Sequence, residues 1–424
     1  MDRRRFLRAL GLAASAPAIG GVTGCAAASA RGIPHVVVVG GGYGGTTAAK
    51  YLRMWSEGRI AVTLIEREAR FVSCPMSNLV IAGLGEMADI TATYDTLHSR
   101  WGVRIVTGEA DGIDLQKRRV HLAGGERIGF DRLVLSPGID FMPEQIDGLS
   151  GNSARIPHAW KAGPQTELLR RQLEAMPDGG VFALHIPRAP YRCPPGPYER
   201  ACLIGHYLRQ RKPRAKLLVL DANSEIQSKK ALFTHAFTDR YRGIIDYRPD
   251  SALVSVDAGS LRAELEFDTL HADVLNVIPP MRAGRLVDRL GIELINGRWV
   301  DVDWLTMAAK GAPLVHVLGD ATFPAPTMPK SGHMANQHAK LAAAAIIEVF
   351  AGRPPDPAPM LINTCYSFID DHNAVHVSSV HRYDAGESTF LPVAGAGGLS
   401  TAASEAEGRY AQAWAHNIRS DMLD

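Results

Sequence analysis

The chain has 424 residues, which is too long for one ordinary hydrophobic core and predicts two or three domains. Its 46 Lys and Arg residues nearly balance its 44 Asp and Glu residues, so the charge gives no indication of nucleic-acid binding. The 46% hydrophobic and 21% charged content exclude a disordered chain. None of the five cysteines has zinc-knuckle or c-type haem spacing, so we expect neither a metal nor a haem on this chain.

Residues 1–30 predict an export signal that is not part of the fold. The stretch D-R-R-R-F-L-R at residues 2–8 precedes an Ala- and Gly-rich apolar run, as is typical of the twin-arginine route, and predicts a periplasmic location. Val22–Cys25 resembles a lipoprotein cleavage box, which would lipidate Cys25, whereas cleavage near Ser29 would leave no anchor. After this signal, no apolar run approaches the roughly 20 residues of a membrane span.

A dinucleotide-binding loop follows the signal. The buried-strand pattern of residues 35–39 runs directly into a glycine-rich turn and a helical segment, with the glycines Gly40, Gly42 and Gly45 in G-x-G-x-x-G spacing. A second strand pattern ends in Glu66, about 20 residues beyond the last glycine, where a carboxylate can bind the ribose hydroxyls. We therefore expect a dinucleotide pyrophosphate at the start of the helix.

Later segments favour FAD as that dinucleotide. A strand pattern at 315–318 ends in Gly319-Asp320, and a helical segment follows a proline-bearing loop. In flavoproteins with two dinucleotide-binding domains, such a Gly-Asp contacts the cofactor, and the next helix begins near the flavin ring. The strand pattern within 131–138 returns the chain to the same domain. These segments predict an FAD domain built from residues 31–150 and 306–352.

Residues 151–305 predict a second domain of similar topology without a nicotinamide site. Strand patterns at 181–186 and 216–220 flank a helical pattern from about Tyr198 to Arg211. The connecting loop has no glycine fingerprint and contains Y-R-C-P-P-G-P-Y-E-R, whose prolines lack the amide hydrogens of a phosphate cradle. We therefore expect no NAD(P)H binding. Cys193 in this loop is either an entry point for electrons or a buried structural cysteine.

Two further cysteines are candidates for redox chemistry. Cys365 lies in the strand-like N-T-C-Y-S segment of a C-terminal α+β domain at 353–424, and Cys74 follows the Glu66 strand where a loop can run beside the flavin. The sequence leaves open whether Cys193 and Cys365 touch. Cys202 lies in an apolar helical stretch and is interpreted as a core residue.

These segments together resemble the flavoprotein subunit of flavocytochrome c sulfide dehydrogenase, a disulfide-reductase-like flavoprotein. The resemblance covers nearly the whole chain after the signal, and its motifs include C-x-x-S-N at 74–78, R-C-P-P-G-P-Y-E-R-A at 192–201, M-P-K-S-G at 328–332 and N-T-C-Y-S at 363–367. It implies an FAD bonded to Cys74, a redox-active Cys193–Cys365 disulfide over the flavin, an active-site Glu199, and a cofactor contact at Lys330. The chain departs from the family pattern at three positions. Pro75 and Leu79 concern the covalent attachment, and His333 concerns the surroundings of the flavin.

The resemblance also implies a reaction. Hydrosulfide attacks the disulfide, leaving a persulfide and a thiolate; two electrons pass to FAD and then singly to a haem c on a separate cytochrome subunit, with sulfur or polysulfide as product. Glu199 would donate or accept protons during the reaction. Two alternatives stay open at this point, a sulfide:quinone oxidoreductase and an accessory flavoprotein of a sulfur-carrier system. The polar hairpin pattern at 374–393 and a single terminal helix containing Trp414 disfavour a membrane-docking tail.

The sequence thus predicts an α/β protein with two Rossmann-like dinucleotide-binding domains of the disulfide-reductase type and a C-terminal α+β interface domain.

Overall fold

The computed structural model describes residues 32–424, so the export signal and Cys25 lie outside the described residues. The helices are α1 Tyr43–Trp55, α2 Ser77–Ile81, α3 Asp95–Ser99, α4 Pro164–Ala175, α5 Gly196–Arg211, α6 Lys230–His235, α7 Gly332–Phe350 and α8 Glu405–Leu423. Within this range, none of them has both the length and the apolar content needed to cross a membrane.

The strands of the described range are numbered in chain order. They are β1 His35–Val39, β2 Ala61–Glu66, β3 Phe71–Val72, β4 Thr91–Ala92, β5 Arg104–Thr107, β6 Ala110–Asp114, β7 Arg119–Leu122, β8 Arg127–Gly129, β9 Arg132–Leu135, β10 Ile139–Phe141, β11 Val181–Ile186, β12 Lys216–Asp221, β13 Ile245–Arg248, β14 Leu253–Asp257, β15 Arg262–Leu265, β16 Thr269–His271, β17 Val274–Val277, β18 Met281–Ala283, β19 Leu294–Ile295, β20 Trp299–Val300, β21 Ala308–Ala309, β22 Ala312–Val317, β23 Met360–Phe368, β24 Ala374–Asp384 and β25 Thr389–Leu399.

A six-stranded sheet of order β21-β22-β9-β1-β2-β5 carries the predicted FAD-binding loop. All of its pairings are parallel except β21 with β22, and Val36–Val38 of β1 are completely buried, as expected for a central strand with helices packed against the sheet. Strands β9 and β22 join this sheet, so residues 31–150 and 306–352 both contribute to it. The domain boundaries stay a prediction, because contacts join Ile33–Asp424 into one compact unit.

The glycine loop between β1 and α1 combines close packing with open space. A Cβ at Gly45 would lie 1.8 Å from the carbonyl oxygen of Gly40, so only glycine lets α1 approach the end of β1 this closely. A Cβ at Gly42 would instead meet no atom within 4 Å. The loop therefore leaves room at the N-terminus of α1, where backbone amides face outward.

The second sheet, β13-β12-β11-β17, is parallel throughout and has the predicted topology. The strands predicted at 181–186 and 216–220 are confirmed as β11 and β12, the latter extending to Asp221. Helix α5 begins at Gly196, slightly before the predicted start at Tyr198. Pro197 lies in its first turn, where the missing N–H costs no helical hydrogen bond.

The C-terminal segment forms an antiparallel sheet β23-β24-β25 followed by α8. The predicted hairpin is confirmed, with its turn between Asp384 and Thr389, although the strands continue to Leu399. Ser404 caps α8 by accepting a hydrogen bond from the Glu407 amide. Strand β23 packs against both α7 and α5, so this segment carries Cys365 toward the other two sheets.

Candidate active site

One cavity of about 1320 Å³, including its opening to solvent, is lined by residues of all three sheet regions. Three of its lining residues are cysteines, namely Cys74, Cys193 and Cys365, which the sequence analysis selected. Its aromatic lining residues are Tyr43, Phe71, Trp160, Tyr366, Phe368 and Trp414. The cavity therefore combines apolar walls, suited to a planar ring, with three sulfur atoms.

The nucleotide end of the cavity has the features that an FAD needs. Gly42 and Gly44 line it at the start of α1, and Gly319 and Asp320 line it after β22. The Oδ1 atom of Asp320 is buried without a hydrogen-bond partner, and burial raises the pKa of this carboxyl group. A buried acceptor without a partner calls for a donor from outside the protein, which the hydroxyl groups of a bound FAD can supply. The residues present thus fit this cofactor.

Two predicted cofactor residues make contacts within the protein. Glu66 ends β2 and accepts hydrogen bonds from the amides of Gly41, at 2.5 Å, and Glu68, at 3.0 Å. The ammonium of Lys330 donates to the carbonyls of Asp320 and Thr322 and lies over the Trp299 ring. Burial lowers the pKa of Lys330 to about 7. Lys330 therefore fixes the Gly-Asp turn, and a direct cofactor contact by either side chain stays a prediction.

The loop that carries Cys74 is held rigidly at the cavity wall. The Ser77 hydroxyl donates to the Cys74 carbonyl at 2.6 Å, and the Ala162 amide donates to Cys74 Sγ at 3.5 Å. Arg192 lines the same cavity; burial lowers the pKa of its guanidinium, but the nearby Cys74 and Asp320 outweigh this and raise it. Cys74 is therefore a thiol that faces the cavity beside a cation, and Pro75 does not prevent this placement.

Cys193 sits on the proline-rich loop in a left-handed backbone conformation, with a φ of +59°. Its amide donates to the Lys330 carbonyl at 2.8 Å, and its carbonyl accepts from the Gly196 amide at 2.9 Å, at the start of α5. Burial raises the pKa of the Cys193 thiol, and the nearby Cys365 and Glu199 raise it further. The neutral thiol is thus favoured whenever Cys193 is reduced.

Cys365 faces the same cavity from β23. Its Sγ accepts a hydrogen bond from the Asn363 side-chain amide at 3.4 Å, and the Ser331 hydroxyl in turn donates to Asn363 Oδ1 at 2.6 Å. Burial raises the pKa of the Cys365 thiol, while Lys229 and Asn363 oppose the rise. The four cysteines of the described residues, Cys202 included, are free thiols, so the Cys193–Cys365 disulfide stays a prediction.

Glu199 lies between the cysteine loop and β23. Its Oε1 accepts from the Phe368 amide at 2.8 Å, and its Oε2 accepts from Asn78 Nδ2 at 2.7 Å. Burial raises the pKa of the Glu199 carboxyl group, although these hydrogen bonds and the nearby Lys229 counteract the rise. Such a carboxyl group can exchange a proton at a higher pH than an exposed glutamate.

Arg200, the next residue, is a site component that sequence reasoning missed. It is 1% exposed. Its Nε donates to Asn78 Oδ1 at 3.0 Å, its Nη1 to His158 O and Asn276 Oδ1 at 2.9 Å each, and its Nη2 to Ala159 O. It also stacks over the Trp160 ring, 4.8 Å from the centroid. Burial lowers the pKa of Arg200 to about 9.

Three charged side chains near the cysteines were therefore not predicted: Arg192, Arg200 and Lys229. The two arginines flank the cysteine within R-C-P-P-G-P-Y-E-R, so their place in the motif was the available signal. Lys229 had no such signal, because it lies far from both cysteines along the chain.

Comparisons with known proteins bear on this site. The model of the central part of the sulfide dehydrogenase [flavocytochrome c] flavoprotein chain matches residues 166–279, and the flavocytochrome c sulphide dehydrogenase flavin-binding model matches residues 357–423. A pyridine nucleotide-disulphide oxidoreductase model matches residues 34–173. All three matches fall within the described part of the chain, and together they support bound flavin.

Individual relatives agree with these models. The flavoprotein chain of flavocytochrome c sulfide dehydrogenase from Chlorobaculum thiosulfatiphilum is 55% identical over 49 residues, which are 12% of this chain and 100% of the relative. The mitochondrial sulfide:quinone oxidoreductase of Mus musculus is 26% identical over 311 residues, 70% of this chain and 67% of the relative.

Solved structures share the fold. The sulfide:quinone oxidoreductase from Aquifex aeolicus has a TM-score of 0.74 at 18% identity and covers 92% of both chains. The putidaredoxin reductase–putidaredoxin complex gives a TM-score of 0.64 at 15% identity, covering 93% of this chain and 96% of that chain. The predicted α/β fold of the disulfide-reductase type is therefore confirmed.

The Arg200 contacts predict a large stability cost for Arg200→Met. The substitution keeps an apolar stem but leaves several buried acceptors without a donor, so we expect the free energy of unfolding to fall by about 3 kcal/mol or more. Urea unfolding of the flavin-loaded protein measures this. Arg209→Met is the matched control, because Arg209 is exposed on the same helix and lies over the Tyr241 ring. Equal losses in both variants would refute the structural role of Arg200.

Proposed function

The chain belongs to the family of flavocytochrome c sulfide dehydrogenase flavoprotein chains, and from this premise we propose that sulfide is oxidised at Cys193 and Cys365 in the cavity described above. The protein is an FAD-dependent enzyme of sulfide oxidation. The observation that carries the finer proposal is that both cysteines line the same cavity as Glu199 and as Asp320, whose carboxylate oxygen has no partner.

The proposed chemistry starts from a Cys193–Cys365 disulfide. Hydrosulfide attacks one sulfur, the S–S bond breaks, and the products are a persulfide on the attacked cysteine and a thiolate on the other. When bound, FAD supplies the two-electron acceptor that allows the disulfide to be restored and sulfur to leave as sulfur or polysulfide. The rigid proline loop and the Lys330 carbonyl hold Cys193 at a fixed position for this exchange.

The residues that would hold FAD belong to both parts of the first sheet. The glycine loop with Gly40, Gly42 and Gly45 would offer backbone amides to the pyrophosphate, Glu66 would bind the ribose hydroxyls, and Asp320, which lines the cavity, would offer an acceptor. Cys74 is the residue that we propose for covalent attachment, since its sulfur faces the same cavity. Covalent attachment would prevent loss of the flavin outside the cytoplasm.

Electrons are proposed to leave singly to a haem c on a partner cytochrome subunit. The chain itself has no c-type haem attachment motif, and the family name joins its flavoprotein to a cytochrome c. Quinone reduction is the competing acceptor, because the mouse relative is a sulfide:quinone oxidoreductase. Mixing the sulfide-reduced protein with a c-type cytochrome or with a soluble quinone distinguishes the two, and reduction of the quinone alone would overturn the cytochrome proposal.

NAD(P)H is proposed not to be a substrate. The loop after β11 contains prolines where a nicotinamide phosphate site needs backbone amides. Bleaching of the flavin absorbance by NADH would contradict this.

The proposed location is the periplasm, with export by the twin-arginine route. The support is the sequence D-R-R-R-F-L-R at residues 2–8. Cell fractionation of the native chain and of a variant with both Arg3 and Arg4 replaced by Lys tests this. An unchanged periplasmic fraction would exclude the twin-arginine route.

The disulfide proposal predicts the outcome of an anaerobic sulfide titration. The wild-type flavin should bleach at near-stoichiometric sulfide, and Cys193→Ser should not bleach, because no disulfide remains to be attacked. Dithionite should still reduce the flavin of this variant. Cys202→Ala is the control, since Cys202 is a buried helix residue outside the cavity lining, and it should bleach like wild type. Normal bleaching of Cys193→Ser would refute the mechanism.

The attachment proposal predicts that Cys74→Ser binds flavin without a covalent bond. On denaturing gels the wild-type band should fluoresce and the variant band should not, while both proteins show flavin absorbance before denaturation. Flavin fluorescence retained on the Cys74→Ser band would assign the bond to another residue.

The role of Glu199 predicts a pH effect on flavin reduction by sulfide. Because burial raises the pKa of Glu199, its carboxylate form is lost as pH falls through a value above that of an ordinary glutamate. If the carboxylate accepts the proton of the sulfur nucleophile, the rate should fall on that acidic side. In stopped-flow measurements, Glu199→Gln should reduce the flavin more slowly than wild type, and its rate should not show this fall at acidic pH. If the rate of Glu199→Gln still falls at the same acidic pH, another group is responsible for that fall.

A further inference from the structure

Lys229 is a buried lysine whose contacts converge on the strand that carries Cys365. It precedes α6 with a φ of +55°, and only 5% of it is exposed. Its ammonium donates to the Cys365 carbonyl at 2.8 Å, to Ser367 Oγ at 2.9 Å and to the Val375 carbonyl at 3.2 Å. The ammonium therefore ties β23 and β24 together next to the redox cysteine.

This ammonium has no carboxylate partner at ion-pair distance among the described residues. All three of its hydrogen-bond acceptors are neutral, and burying an ammonium against neutral groups is costly. Burial lowers the pKa of Lys229 to about 8. Four nearby groups partly oppose this by raising the pKa, and in decreasing order of effect they are Cys365, Glu199, Cys193 and Glu407. Two of the four groups that favour its charge are therefore the proposed redox cysteines.

We propose that Lys229 is a positioning residue that holds β23 in place and stabilises negative charge on the Cys365 sulfur after the disulfide opens. This inference rests on the proposed function, because the charge arises from attack by hydrosulfide. Attack of hydrosulfide on Cys193 leaves the persulfide there and displaces Cys365 as the thiolate, so the negative charge then lies on Cys365 Sγ. Attack on Cys365 leaves the thiolate on Cys193, and the charge reaches the Cys365 persulfide when that persulfide gives its proton to the Cys193 thiolate. A nearby ammonium offsets the cost of that burial.

Other groups around Cys365 do not supply this charge. Asn363 donates one neutral N–H to the sulfur at 3.4 Å. Glu199, from α5, is an acid and raises the pKa of Cys365. From α8, Glu407 lies 3.1 Å from the ring of His376 on β24. Among the charged groups of the described structure, Lys229 has the largest effect on the pKa of the Cys365 thiol, and it lowers that pKa.

The sign of the effect follows from the lowered pKa of Lys229. Its ammonium form is present below about pH 8 and is lost above it. The cation therefore assists ionisation of Cys365 below that pH, and removing the amine should raise the pKa of the Cys365 thiol.

The test measures Cys365 ionisation directly in the flavin-loaded protein. In a Cys193→Ser background, Cys365 cannot form the disulfide. After reduction with dithiothreitol, the alkylation of Cys365 by iodoacetamide is followed by peptide mass spectrometry. The pH range is 6 to 10, because an ordinary thiol has a pKa of roughly 8.5. In Lys229→Met the rate at a fixed pH below the midpoint should fall about tenfold, as for a one-unit rise in pKa. Lys229→Arg, which keeps the charge, should restore most of the rate.

Lys212→Met is the matched control. Lys212 is 8% exposed and also donates to backbone carbonyls, those of Glu174 and Met176, but it follows the far end of α5. This variant should alkylate like its parent. An unchanged profile in Lys229→Met, or an equal shift in Lys212→Met, would overturn the inference. If Lys229→Met does not fold, Lys229→Gln carries the same expectation, because its amide can keep a hydrogen bond without the charge.

The outcome is independent of sulfide turnover. Wild-type bleaching by sulfide with no alkylation shift in the Lys229 variants would refute the role of Lys229 and leave the proposed function standing. The alkylation shift without reduction of the flavin by sulfide would refute the proposed function and leave only the effect of Lys229 on the ionisation of Cys365 standing.

Discussion

The buried guanidinium of Arg200 is the interaction on which the geometry of the site depends. It joins α5 to the Cys74 loop through Asn78, to the segment before α4 through His158 and Ala159, and to the second sheet through Asn276. Because α5 begins directly after the Cys193 loop, these contacts fix one cysteine loop against the other. Asn78 also holds Glu199, so the acid and the arginine share one support.

Burial sets the electrostatics of the cavity. It raises the pKa of Glu199 and Asp320 and of the Cys193 and Cys365 thiols, and it lowers the pKa of Lys229. Each shift favours the neutral form, so a negative charge entering with hydrosulfide meets few opposing anions. Lys229 has the largest charge effect on the pKa of Cys365, whereas at Cys193 the nearby Cys365 and Glu199 act more strongly than Arg192 and Lys229.

The two parallel sheets differ in their first loops. In the first sheet, Gly45 permits a close turn that no side chain could make, and Gly42 leaves space for a ligand. In the second sheet the corresponding loop has prolines and Cys193, whose backbone is fixed by the Lys330 carbonyl. The parallel strand order around each loop is alike, so the two sheets present different residues from corresponding loops.

The sequence by itself determined the fold class, the glycine loop, the hairpin and the three cysteines, because strand periodicity and motif spacing are local properties of the chain. The start of α5 was misjudged slightly, since prolines in a first turn look like loop residues. Only the tertiary structure brought Cys365 and Cys193 into one cavity and placed Lys229 beside them, because contacts between distant segments depend on how the sheets pack. It also decided that Lys330 binds the Gly-Asp turn, since the direction of a buried side chain is set by its neighbours.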